Sequence, residues 1–216
     1  MRVVVVEDHA LIADLLAAVC ERDFGFTVAA ARSSGAAGLS AVREHRPDLV
    51  LLDISLPDLD GLDLAGTVRR ELPAARILVL SSLRDPATLR RVREIGVHGY
   101  VDKREQTLPV LREAIRQVAG GGSYFSPVVA EAVQRLARDP HAFHRVLSPY
   151  EQTVLGLIGE SLSDAEIAAR LNIKSATAQS RRRDIMGKLN IHSTPKLIRY
   201  AIENGFTRPE HFPRGP

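Results

Sequence analysis

The chain of 216 residues has a single cysteine, Cys20, which excludes an intramolecular disulfide and fits a reducing cytosol. Long apolar runs are lacking too. The N-terminus, from Met1 through Val6 to Glu7 and Asp8, meets two acids after four apolar residues, which suits neither a secretory signal nor a membrane span. It reads as a strand. Neither sign of charge dominates: 29 Lys and Arg against 26 Asp and Glu leave a net of +3. That small surplus is unevenly spread. Residues 1–120 carry 16 basic and 17 acidic side chains, a net of −1, whereas residues 147–216 carry 10 and 7, a net of +3. The second part therefore suits an anionic partner. The rest of the composition, 45% hydrophobic and 25% charged, describes a soluble globular protein of one or two domains, each able to bury a core.

Strands and helices alternate through the first 120 residues. Arg2 to Val6 is a β-branched run, followed by a helical pattern with Leu11, Leu15, Ala18 and Val19 on its apolar stripe. A second strand fits Phe26 to Ala30, and Ser34 opens a helix containing Leu39 and Val42. Leu49 to Leu52 is continuously apolar and ends in Asp53, as expected of a strand buried on both faces of a parallel sheet. After Asp60-Gly61 a helix covers Leu62 to Leu72. Ile77 to Leu80 forms the fourth strand and ends in Ser81-Ser82. Asp85-Pro86 then caps a helix that stops at Gly96. Gly99 to Val101 is the fifth strand, closed by Asp102-Lys103, and the last helix runs from Leu108 to Ala119. The fold class is thus α/β, a doubly wound sheet of five parallel strands. Such sheets place their ligands at strand carboxyl ends. Glu7-Asp8, Asp53, Ser81 and Lys103 all fall there.

The chemistry of that edge follows from its residue types. Three carboxylates brought together repel one another unless a hard cation joins them, and oxygen ligands with retained water favour Mg²⁺. A carboxylate beside a metal and a lysine is a competent nucleophile toward phosphorus. The motifs Val5-Val6-Glu7-Asp8-His9, Leu51-Leu52-Asp53-Ile54-Ser55-Leu56-Pro57 with Asp60-Gly61, Val79-Leu80-Ser81-Ser82 and Gly99-Tyr100-Val101-Asp102-Lys103 resemble the receiver domain of bacterial response regulators. The resemblance implies a flavodoxin-like strand order and Asp53 as phosphoacceptor. It further implies Mg²⁺ held by Asp8, Asp53 and the backbone carbonyl of Ser55, with Glu7 acting through water. Ser81, Ser82 and Lys103 would contact the phosphoryl group, and Tyr100 would swing inward behind Ser81. A haloacid-dehalogenase-like phosphatase also uses an Asp nucleophile and Mg²⁺, but it needs a second Asp two residues on, where this chain has Ser55. His9 receives no catalytic role.

The remainder reads as helical. Gly120-Gly121-Gly122-Ser123 is a backbone-permissive hinge, and a linker helix from Val128 to Ala137 ends at Asp139-Pro140. Ser148-Pro149-Tyr150-Glu151 and Ser163-Asp164-Ala165-Glu166 each match a helix-capping box. A third helix fits Ser175 to Leu189 and a fourth opens at Thr194-Pro195. Leu147-Ser148-Pro149, Glu151, Val154-Leu155, Leu162-Ser163, Glu166-Ile167-Ala168, Leu171, Ile173, Thr177, Ile185 and Lys188-Leu189 resemble the LuxR-type DNA-binding domain, an all-α four-helix helix-turn-helix unit. With the receiver, the chain resembles the NarL/FixJ response regulators. Lys174, Ala178, Gln179 and Arg181 depart from the residues usual in that family. The expected boundaries are a receiver at 1–120, a glycine hinge and helical linker at 121–145, the DNA-binding domain at 146–206 and a frayed tail at 207–216.

On the third helix, Ala178, Ile185 and Leu189 mark the inward stripe, with Arg181 on that side. Gln179, Ser180, Arg182 and Arg183 face outward. Residues 174–188 carry five basic side chains against Asp184, a local net of +4. This helix is expected to enter a major groove, with Gln179 and Arg183 toward bases and Lys174, Arg182 and Lys188 toward phosphates. Thr177 and Ser180 complete the DNA-facing set. The resemblance implies a two-component transcription regulator of the cytoplasm rather than an enzyme, its only catalysis being its own phosphoryl transfer and dephosphorylation. Its implied partners are a sensor histidine kinase, double-stranded DNA and a second copy of itself when phosphorylated, with room for RNA polymerase.

Overall fold

A parallel sheet in the order β2-β1-β3-β4-β5-β6 forms the centre of the first of two compact units. The computed structural model describes residues 1–104, 107–138 and 146–207. The strands are β1 (Arg2–Val6), β2 (Thr27–Arg32), β3 (Leu49–Asp53), β4 (Arg76–Ser81), β5 (Gly99–Asp102) and β6 (Tyr124–Phe125). Between them run α1 (Ala10–Phe24), α2 (Gly35–His45), α3 (Gly61–Glu71), α4 (Pro86–Ile95) and α5 (Leu108–Ala119), and α6 (Pro127–Arg138) follows β6. Alternate strand residues supply two cores. Val4, Val6, Val50, Leu52, Ile77 and Val79 pack with α2, α3, α4 and α6. Val3, Val5, Leu49, Leu51, Leu78 and Leu80 pack with α1 and α5 on the other face. Burial on both faces explains why these strands are continuously apolar.

Three expectations need correction. The sheet has six strands rather than five, because Tyr124 and Phe125 pair in parallel with Gly99 and Tyr100. The glycine segment before them is therefore a tight connection within the first unit: Gly121 has φ +100, which only glycine tolerates readily, and Val129 of α6 lies in the core. The first unit comprises Met1–Arg84 and Leu89–Val133, so it continues past residue 120. The inward stripe of α1 is also different. Leu16, Val19 and Cys20 are buried, while Leu11 is 83% exposed and Leu15 40%. Burial pushes the Cys20 thiol up to about 12, consistent with a packing role.

The second unit is helical, with α7 (Pro149–Gly159), α8 (Asp164–Leu171), α9 (Ser175–Leu189) and α10 (Thr194–Glu203) among the described residues. Both capping boxes form, Ser148 with Glu151 and Ser163 with Glu166, so the starts of α7 and α8 are fixed locally. Val154, Leu155, Ile158, Ile167, Ala178, Ile185 and Leu197 make the core that seats α9 on α7 and α8. Thr207, expected to fray, is buried, and its hydroxyl donates to the Gly156 carbonyl at 2.9 Å. Asp139, Pro140, residues 141–145 and the tail from Arg208 lie outside the described residues.

Candidate functional site

β1 lies between β2 and β3, so the chain's winding direction reverses there and a crevice opens at the carboxyl ends of β1 and β3. Glu7 and Asp53 sit at its floor, 2% and 3% exposed. The Lys103 ammonium bridges them, donating to Glu7 Oε2 at 2.7 Å, Glu7 Oε1 at 3.0 Å and Asp53 Oδ2 at 2.8 Å. Asp53 Oδ1 accepts the Ser55 N–H at 3.1 Å. Burial raises the Glu7 pKa despite the lysine. Burial opposes the charge on Lys103, yet its hydrogen bonds to Asp53 and Glu7 outweigh that and hold its pKa above the usual lysine value.

Glu7, Asp8, His9 and Asp53 each offer one ligand atom within 4.8 Å of the others, so these side chains can surround a cation. His9 precedes α1, and its Nδ1 lies 2.8 Å from Asp8 Oδ1, which raises the imidazole pKa. The sequence offered no reason to include this histidine. The floor is shaped by backbone. A Cβ on Gly61 would stand 2.3 Å from the Asp53 carbonyl oxygen, so only glycine allows α3 to start against the end of β3. Asp60 caps α3 by accepting the Leu62 N–H at 2.7 Å, and Asp58 accepts the Gly35 and Ala36 N–H groups at 2.7 and 3.0 Å, tying this loop to the start of α2.

Ser81 is fully buried, and its hydroxyl accepts the Leu83 N–H at 3.2 Å. Tyr100 is also fully buried, and its hydroxyl donates to the Leu83 carbonyl. Its ring already occupies the inward position, so the expected swing from outside has no starting point in this conformation. Ser82 contributes its carbonyl, which accepts Arg104 Nη2 at 2.5 Å.

On α9 the structure exchanges two sequence assignments. Arg182, expected outward, turns back: its side chain is 12% exposed, and it donates to Asp164 Oδ1 at 2.8 Å and to the Leu162 carbonyl at 3.1 Å. Arg181, expected inward, is exposed and lies over the Tyr150 ring, 5.9 Å from its centroid. Lys188 donates to both oxygens of buried Glu151 at 2.8 Å, lowering that acid's pKa through the hydrogen bond. Gln179 and Arg183 share one outward ridge, with Arg183 Nη2 donating to Gln179 Oε1 at 3.0 Å. Lys174, Thr177 and Ser180 are exposed beside them. Arg182 was detectable from spacing, since 178, 182, 185 and 189 recur at intervals of four, three and four.

Comparison with known proteins assigns a family to each of the two regions. Residues 3–116 match the response regulator receiver domain, and residues 145–201 match the luxR family of bacterial regulatory proteins. The transcriptional regulatory protein MctR of Rhizobium johnstonii is 38% identical over 95% of this chain and 94% of its own length. The oxygen regulatory protein NreC of Staphylococcus carnosus is 28% identical over 94% and 97%. A structure of RcsB from Salmonella enterica serovar Typhimurium bound to a promoter with phosphomimetic BeF3⁻ gives a TM-score of 0.66 at 23% identity, covering 93% of this chain and 97% of that one, a likeness of fold. The chain therefore belongs to the response regulators of the NarL/FixJ type, in which a receiver is joined to a LuxR-type DNA-binding unit.

Proposed function

We propose that this transcriptional response regulator is switched by phosphorylation of Asp53. The observation that carries the reading is the Lys103 ammonium held between Glu7 and Asp53 at the floor of an acid-lined crevice. Asp8, Asp53 and the Ser55 carbonyl would hold Mg²⁺, with Glu7 acting through water. The ion supplies charge neutralisation for the nucleophile and the incoming phosphoryl group. An Asp53 carboxylate oxygen attacks phosphorus. A phosphorus–oxygen bond forms as the bond to the donor's imidazole or acyl oxygen breaks, and the leaving group keeps the electron pair. Lys103 then exchanges a carboxylate contact for a phosphate oxygen, and the Ser81 hydroxyl leaves the Leu83 N–H for another. The donor is a sensor histidine kinase or a small phosphodonor, and the site returns to rest by hydrolysing its own aspartyl phosphate.

The output reading rests on α9. Gln179 and Arg183 face base edges in a major groove, while Lys174, Thr177 and Ser180 contact the backbone. Arg182 and Lys188 are withdrawn from the phosphate set, because Asp164 and Glu151 already engage them. RcsB dimers have been seen on DNA, and phosphorylated dimers of this chain are proposed by that likeness. No helix among the described residues is long and apolar enough to cross a membrane, and the place of action is taken to be the cytoplasm. Adding Mg²⁺ and beryllium fluoride should raise both sedimentation mass and affinity for a cognate promoter. If both stay unchanged while the analogue binds, the switch reading is wrong.

A further inference from the structure

The last residue of β4 and the three that follow it are each held by a residue near the end of β5. The Lys103 N–H donates to the Ser81 carbonyl at 3.0 Å, Arg104 Nη2 to the Ser82 carbonyl at 2.5 Å, and the Tyr100 hydroxyl to the Leu83 carbonyl. The fourth link is ionic, between Arg84 and Asp102. Asp102 is fully buried, whereas the Arg84 side chain is 28% exposed. A buried carboxylate is costly unless it is paired and hydrogen-bonded, and this one is both. Its Oδ1 also accepts the Arg104 N–H at 2.8 Å, which closes the turn that carries Lys103.

The same residue is tied to the chain beyond α5. The Asp102 N–H donates to the hydroxyl of Ser126, 3% exposed, at 3.0 Å, and the Ser126 N–H donates to the Tyr100 carbonyl at 2.9 Å. Ser126 lies between β6 and α6, and its own carbonyl accepts the Ala130 N–H in the first turn of α6. Asp102 thus touches three segments: the Ser81 loop through Arg84, the Lys103 loop through Arg104, and the start of α6 through Ser126.

We propose that Arg84 and Asp102 are positioning residues that make the Ser81 loop, the Lys103 loop and the start of α6 move as one body. This rests on the phosphoacceptor reading of Asp53. A phosphoryl group that draws Lys103 and Ser81 toward it pulls on the turn at Asp102, and the shift reaches Ser126 one hydrogen bond later. Neither residue touches the phosphoryl group. The pair converts a local rearrangement at the crevice into a change at the segment leading out of the receiver.

Deuterium exchange over residues 122–133 of the full chain, with and without Mg²⁺ and beryllium fluoride, tests this. In the unsubstituted protein the analogue should change exchange there by about five-fold or more, the lower end of ordinary coupling between sites. Arg84→Gln and Asp102→Asn should bind the analogue within about three-fold of the parent, yet show less than a two-fold response at residues 122–133. Arg84→Lys, which keeps the charge, should restore at least half of the response. The double variant Arg84→Gln with Asp102→Asn leaves no unpaired interior charge and carries the test if a single variant does not fold. Responses equal to the parent's would overturn the proposal, as would folded variants that lose analogue binding itself. A parent protein that does not bind the analogue would instead overturn the phosphoacceptor reading, and this proposal with it.

Discussion

Replacing Arg182 with alanine separates a DNA contact from a structural clamp, because the two roles predict different observables. Arg182 is 12% exposed and makes two hydrogen bonds, one to the Asp164 carboxylate and one to the Leu162 carbonyl. Hydrogen bonds involving a charged group contribute about 1.5–3 kcal/mol, and removal also leaves the Leu162 carbonyl to find water. A cost of about 2 kcal/mol to the second unit follows, which is about a thirty-fold acceleration of amide exchange in α9 if those amides exchange by unfolding of that unit. Arg183 is exposed and, among the described residues, bonded only through an i, i+4 contact with Gln179, so Arg183→Ala should cost the fold no more than about 0.5 kcal/mol. In DNA binding the order reverses. Arg183→Ala should lose about 1–3 kcal/mol and relax base preference at particular positions. Arg182→Ala should leave the salt slope unchanged, whereas loss of a phosphate contact would lower it by about 0.9. Hydrogen exchange and fluorescence anisotropy on a labelled promoter at two salt concentrations read both quantities. The clamp is refuted if Arg182→Ala exchanges like the parent while its salt slope falls by about one.

Gly61→Ala should cost about 1–3 kcal/mol and slow phosphoryl acceptance, because the new methyl meets the Asp53 carbonyl oxygen and Ile54 Cα, which are backbone atoms with no rotamer to yield; a thermal melt beside a labelling rate checks both effects. His98 accepts the Ile77 N–H on Nδ1 at 3.0 Å, and burial, then Arg69 and Arg76, lower its pKa. The unfolded chain therefore takes up this proton first as pH falls. Stability from His98 is complete above the unfolded value near 6.5 and declines as pH drops through it toward the lower folded value. Chemical denaturation between pH 7.5 and 5.5 should show this slope, and His98→Gln should flatten it.

Local signals account for the parts of the fold that sequence made legible. The bounds of β1, α5 and α9 follow from continuous apolar runs, a proline after the cap and a terminal Leu189-Asn190. Both capping boxes depend on residues three apart, so they too are visible along the chain. β6 escaped because two residues cannot display an alternation, and its neighbours are glycines that also suit a hinge. The face of α1 was ambiguous, since alanines and leucines occur on every side and only the sheet selects Leu16, Val19 and Cys20. In the crevice, Glu7, Asp53 and Lys103 were legible because each ends or directly follows a strand, and parallel topology gathers strand ends. The Arg84–Asp102 pair was not, because an ion pair between a loop residue and the end of a strand leaves no periodic trace in sequence.

Phosphoryl labelling of Asp53 tests the central claim most directly. Incubated with a small phosphodonor and Mg²⁺, the chain should gain one phosphoryl group, located at Asp53 by borohydride reduction and peptide mass. Asp53→Asn should gain none, and chelation of Mg²⁺ should abolish the label on the parent. A label of equal extent on Asp53→Asn, or one found at another residue, would contradict the assignment of this crevice as the switch.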